Sequence, residues 1–202
     1  LEDILDFTRL EAGQLALVPT ATELRPLVEA AVQALPAARR RSEVELVLWI
    51  DADVPATVLV DGLRLRQVLL HLLDNALKFT PSGHVTLRVA RERGADGAAA
   101  TLRFDITDSG IGIAAERLER LFEPFEQVDG SDTRAAAGAG IGLVICQRVL
   151  ALMDTELRAQ SAPGRGSRFG VTRRLPVVPA DSAPAPEAPP GGRAQVGDGQ
   201  AD

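Results

Sequence analysis

The sequence has one cysteine, no apolar run approaching the ~20 residues needed to span a bilayer, and no basic block beyond Arg39-Arg40-Arg41. Each shortage excludes something. A lone thiol supports neither a disulfide framework nor a thiolate metal site and fits a reducing compartment; Cys146 itself sits in an apolar helical run and reads as a core residue. The first residues lack the basic, apolar and small-residue order of a signal peptide, so the chain reads as water-soluble. With 22 Lys plus Arg against 28 Asp plus Glu, a net charge of −6, nucleic acid is excluded as the expected partner.

What is present suffices for one packed domain with appendages: 202 residues, of which 46% are hydrophobic. "LEDILDFTRLEA" puts Leu1, Ile4, Leu5 and Leu10 on one helical face without a cap, which predicts a helix that continues upstream of Leu1. A short extended piece at "QLALVP" precedes a helix predicted from about Thr22 to Arg41. Strands follow at "VELVLWI" and "TVLV", then a helix capped by Asp61, then two strands, "HVTLRVARER" and "ATLRFDITD". A short helix near "AAERLERLF", a glycine- and alanine-rich loop, a helix at "GLVICQRVLALM" and strands near "ELRAQS" and "GSRFGVTRRLP" complete the pattern. Helices mixed with mostly antiparallel strands, without regular βαβ alternation, predict an α+β two-layer sandwich with helices on one face of one sheet. Six of the thirteen prolines lie from Pro176 onward among glycines and few large apolar residues, which predicts a flexible, disordered linker over 177–202.

The capped helix carries a polar stripe of Asp61, Arg64, Gln67, His71, Asn75 and Lys78 at spacings of three and four, opposite a leucine-rich face. The stripe is either a wet face or a site. Asparagine is a mediocre helix former, but its amide oxygen suits a hard cation such as magnesium, and Lys78 one turn on would meet a metal-bound phosphate. Downstream, "DITDSGIGI" ends a strand at Asp108, where the carboxylate can accept from an exocyclic amine while Gly110 and Gly112 allow close backbone approach; a plain strand-to-helix turn explains the same residues. "AGAGIGLVI" leads Gly138, Gly140 and Gly142 into a helix start that favours phosphate, without the preceding strand of a dinucleotide fold. "APGRGSRF" is most economically a turn between strands.

Taken in order, "HLLDNALKFT", "DSGIGI", "LFEPFEQVD", "GAGIGL" and "PGRGSRF" resemble the N box, first glycine box, phenylalanine box, second glycine box and last glycine turn of the catalytic ATP-binding domain of sensor histidine kinases. That domain belongs to the ATPase superfamily shared with gyrase, the Hsp90 chaperones and MutL. All five motifs fall in the family's order across residues 67 to 170. "LEDILDFTRLEAGQL" also looks like the end of the second helix of the kinase dimerisation domain, so the expected division is 1–14 for that helix, 15–176 for the catalytic domain and 177–202 for the linker.

The resemblance implies ATP and Mg2+ as cofactors, with Asn75 as the magnesium ligand, Lys78 as a phosphate contact and Asp108 as the adenine-recognising carboxylate beside Gly110 and Gly112. It implies that Gly138, Gly140, Ile141, Gly142 and Leu143 meet the phosphates at the hinge of a lid, that Phe122 and Phe125 anchor its first end, and that Arg134 reaches the γ-phosphate. His71 stands where gyrase and Hsp90 have the glutamate that activates water; the chemotaxis kinases also have a histidine there. Ala139 replaces the usual threonine of the second glycine box, removing a hydroxyl donor worth ~0.5–1.5 kcal/mol. "MDTE" replaces a glycine pair.

The expected activity is transfer of the γ-phosphoryl group to a histidine of the dimerisation domain, with His71, Asn75 and Lys78 in the catalytic set. A nucleotide-sensing module with an impaired lid is the rival, and a gyrase-like hydrolase a third that His71 disfavours. The expected partners are that phosphoacceptor domain and a response regulator receiver domain, within a homodimeric kinase, hybrid or not, whose catalytic part is cytoplasmic whether or not the parent is membrane-bound.

Overall fold

The structure is a computed structural model that describes residues 8, 10, 12–36, 43–92, 97–118, 120–121 and 142–179. Its elements run β1 (Thr20–Glu23), α1 (Leu24–Gln33), β2 (Val44–Ile50), β3 (Thr57–Val60), α2 (Gly62–Lys78), β4 (Gly83–Arg91), β5 (Ala99–Asp108), α3 (Ala115–Leu118), α4 (Gly142–Leu152), β6 (Leu157–Ser161) and β7 (Ser167–Pro176). Five strands form one sheet in the order β2-β4-β5-β7-β6, antiparallel except for the parallel pair β2 and β4, and β1 pairs with β3 in a separate two-stranded sheet. The expected α+β sandwich is the observed one. No helix among the described residues is long and apolar enough to cross a membrane.

Periodicity explains the layers. Along α2, Leu65, Val68, Leu69, Leu72, Leu73, Ala76 and Leu77 recur on one side and are buried. On the sheet, Val85, Leu87 and Val89 of β4, Leu102, Phe104 and Ile106 of β5, and Phe169 and Val171 of β7 alternate towards the helices and share one core with α1, α2 and α4. Cys146 of α4 is fully buried in that core. The opposite face of the sheet is held by charge. Asp51 receives Arg88 Nη2 at 2.8 Å and the Trp49 indole N–H at 2.8 Å, while Asp105 receives Arg103 Nε at 2.7 Å and Arg168 Nη2 at 3.0 Å. A polar face of this kind lets an antiparallel sheet meet water on one side.

Three bounds differ from those expected. The helix predicted from Thr22 to Arg41 is observed as Leu24–Gln33, because Thr20–Glu23 is extended and pairs with Thr57–Val60, and Leu24 N bonds to Ala56 O. At its other end Pro36 disfavours helical backbone at Leu35, and residues 37 to 42 lie outside the described residues. The extended piece placed at "QLALVP" therefore belongs a few residues later, at β1. The core-bound chain also runs slightly past Pro176: Val177 N donates to Ala98 O and Val178 N to Thr57 O. The helix predicted over residues 1–12 lies largely outside the described residues.

Candidate nucleotide site

Asp61 begins the site by fixing where α2 starts. Its Oδ1 accepts Arg64 N at 3.0 Å, an N-cap bond, and its Oδ2 accepts Val18 N at 2.9 Å, so the first member of the polar stripe is a buried cap rather than a wet side chain. Arg64 Nη1 then donates to Gln67 Oε1 at 2.8 Å, which occupies the next turn. The last three members, His71, Asn75 and Lys78, are half-buried. Lys78 Nζ lies 4.9 Å from the centre of the Phe79 ring, a cation–π distance.

The helix end is tied to the loop that follows β5. Phe79 N donates to Asn75 O at 3.1 Å, closing α2, and Phe79 O accepts Ile111 N at 3.1 Å. Gly110 permits that contact, since a Cβ there would lie 2.2 Å from Phe79 O. Gly112 has φ +70° and its missing side chain is replaced by the β6–β7 turn, where a Cβ would lie 1.9 Å from Ala162 O. Gly164 N donates to Ile111 O at 2.8 Å from the same turn. "APGRGSRF" is thus the turn it was predicted to be, and it also braces the first glycine box.

Asp108 ends β5 with its carboxylate almost fully buried. Gly110 N and Ser167 N both donate to Oδ1, at 2.8 and 3.2 Å. Burial raises the pKa of Asp108 above the ordinary carboxylate value, against the lowering effects of the Gly110 and Ser167 hydrogen bonds and of nearby His84. The folded chain therefore holds this proton more tightly than the unfolded chain, and stability is lost as pH rises from the unfolded pKa through the folded one. Asparagine keeps an oxygen for both amides and carries no charge. Asp108→Asn should melt above the parent at neutral pH, with the gap closing below about pH 4. Thermal melts across that range test it, and a gap that is absent at neutral pH would show that the ionised form is not disfavoured.

Of the second glycine box, Gly142 and Leu143 are among the described residues and open α4, which packs on α2. Gly142 at its first turn stands beside His71, where an added Cβ would come within 3.4 Å of Nδ1. Leu143 follows it, half-buried against the core. Gly142 thereby stands beside His71 at the middle of α2, and the end of α2 at Phe79 is bonded to the loop that carries Gly110 and Gly112. Phe122, Phe125, Arg134, Gly138, Gly140 and Ile141 lie outside the described residues, as does the segment expected to form the lid. The reading of the sequence missed Ser161, Ser167 and Phe79; the "GS" of "PGRGSRF" was the one available signal. No group of three or more His, Cys, Asp or Glu suited to a metal exists among the described residues.

The profile of the family described as "Histidine kinase-, DNA gyrase B-, and HSP90-like ATPase" matches residues 60–178, from the end of β3 to the end of the sheet. This chain belongs to that family. Its similarity to the virulence sensor protein BvgS of Bordetella bronchiseptica is 41% identity over 187 residues, covering 92% of this chain and 15% of that protein. With the signal transduction histidine-protein kinase BarA of Escherichia coli it shares 38% over 179 residues, covering 89% of this chain and 19% of BarA. The chain thus spans less than a quarter of the length of these curated relatives. Among solved structures, full-length ShkA in complex with AMPPNP superposes with a TM-score of 0.74 at 30% identity, covering 89% of this chain and 36% of that one. Within the ATPase family, the chain is of the sensor histidine kinase catalytic, ATP-binding type.

Proposed function

We propose that the domain binds magnesium ATP between α2 and the loop after β5, and that it passes the γ-phosphoryl group to a histidine on a dimerisation domain. The observation that carries this reading is the junction at Phe79, which holds the Asn75 helix against the Gly110–Gly112 loop beside the buried Asp108 carboxylate. Asp108 gives Oδ1 to the two backbone amides, and accepts the exocyclic amine of adenine with its remaining capacity. A single amide oxygen from Asn75 fits magnesium, which keeps several waters and takes its other ligands from substrate phosphates rather than from a protein cage. Bound magnesium neutralises phosphate charge; the chain's own part is to position the nucleotide, with Lys78 leaving Phe79 for the phosphates and the start of α4 receiving them beside His71. Phe122, Phe125, Arg134, Gly138, Gly140 and Ile141 complete the site in this reading, as lid anchors and phosphate contacts.

The same reading assigns residues 1–14 to the end of a dimerisation helix and the tail beyond the core-bound Val178 to a linker. The parent kinase is then a homodimer that delivers its phosphoryl group to a receiver domain. The chain has only two histidines, His71 on α2 and His84 on β4. Neither is the acceptor here. Mixed with radiolabelled ATP, the chain alone should remain unlabelled, and acid-labile label should form on a separately made dimerisation domain added to it. Label on the chain alone would overturn the assignment, and tight ATP binding with no transfer would favour a nucleotide-sensing module.

A further inference from the structure

Ser161, the last residue of β6, sits at a junction that none of the glycine motifs contains. Its hydroxyl oxygen accepts Ile113 N at 2.7 Å, and it lies 2.9 Å from Gly166 O and 3.0 Å from Ser167 Oγ. Ser167 donates its backbone N–H to Asp108 Oδ1 at 3.2 Å. Gly166 O can only accept, so the Ser161 proton goes to it. The 3.0 Å contact is then filled by the Ser167 hydroxyl proton, so the Ser161 oxygen takes both that proton and the amide of Ile113. One hydroxyl thereby connects the loop after β5, the end of β6 and the start of β7, and the first and last of these give Asp108 its two backbone amides.

We propose that Ser161 is a positioning residue for base recognition: by holding Ile113 and Ser167, it sets the direction in which Asp108 offers its carboxylate to the exocyclic amine of adenine. The proposal rests on the reading of Asp108 as the adenine-recognising group. It makes a demand that general support of the fold does not make. Loss of the Ser161 hydroxyl should weaken binding only of nucleotides that carry the amine.

Calorimetric titration of the chain with ATP and with purine riboside triphosphate, which lacks that amine, provides the test. Ser161→Ala should lower affinity for ATP by roughly three- to tenfold, one hydrogen bond's worth, and leave affinity for the purine analogue unchanged. Ser161→Thr, which keeps the hydroxyl, should restore ATP affinity. Ser167→Ala should show the same selective loss, and it carries the comparison should Ser161→Ala not fold. Equal losses for both nucleotides, or none, would overturn the positioning role. Asp108→Asn separates the two levels of the argument. If it abolishes the preference for ATP while the serine variants do not, Ser161 fails and Asp108 stands; if the parent chain itself shows no preference, the base-recognition reading fails and the role of Ser161 goes with it.

Discussion

Gly112→Ala should cost about 2–4 kcal/mol of stability and take most of the nucleotide affinity with it. Two penalties add. At φ +70° an alanine pays ~1–2 kcal/mol for left-handed backbone, and its Cβ would stand 1.9 Å from Ala162 O and 2.7 Å from Ala162 C. Both of those atoms are backbone, so no side chain can swing away, and relief requires the loop or the β6–β7 turn to move. Movement of either displaces Ile113 from Ser161 and Gly164 from Ile111. Gly164→Ala is the matched control, because Gly164 has φ +71° and nothing within 4 Å of an added Cβ. Urea denaturation should show only the conformational part there, about 1–2 kcal/mol. Equal destabilisation of the two variants would mean that the close approach of Gly112 to the turn carries no energetic weight.

Asn75→Ala should weaken magnesium ATP binding by roughly tenfold to a hundredfold, the worth of a contact to a charged group. The loss should shrink when magnesium is withheld, because the proposed contact runs through the metal. Asp108→Ala should lose affinity by a similar factor with or without magnesium, since its proposed partner is the base. Gln67→Ala, two turns before Asn75, should change little, because Gln67 already holds Arg64 at 2.8 Å. Calorimetric titration of the three variants, with magnesium and with a chelator, separates the roles. Unchanged affinity in both Asn75→Ala and Asp108→Ala would reduce the stripe to a solvated face.

The sequence by itself determined what depends on neighbours along the chain. Asp61 caps α2 by a bond to Arg64 three residues on, the leucines of α2 repeat with the helical period, and β4 and β5 alternate with a period of two; all of these are local patterns. The order and spacing of the N box and glycine boxes were legible for the same reason, and they placed His71, Asn75, Asp108, Gly110, Gly112 and Gly142 on the elements where the structure has them. Only the tertiary structure decided what depends on residues far apart. Thr20–Glu23 became a strand because Thr57–Val60 offered it partners, overriding the helical pattern that begins at Thr22. Val44–Ile50 lies parallel to β4 at the sheet edge, a pairing that no local pattern encodes. Gly112 is required by Ala162, fifty residues later, and Asp108 is oriented by Ser167 and steadied by Ser161 across a comparable gap. Hydrogen bonds and close contacts of this range are formed by the folded backbone as a whole, so the residues that shape the site were visible in the sequence one by one, while their mutual positions came only with packing.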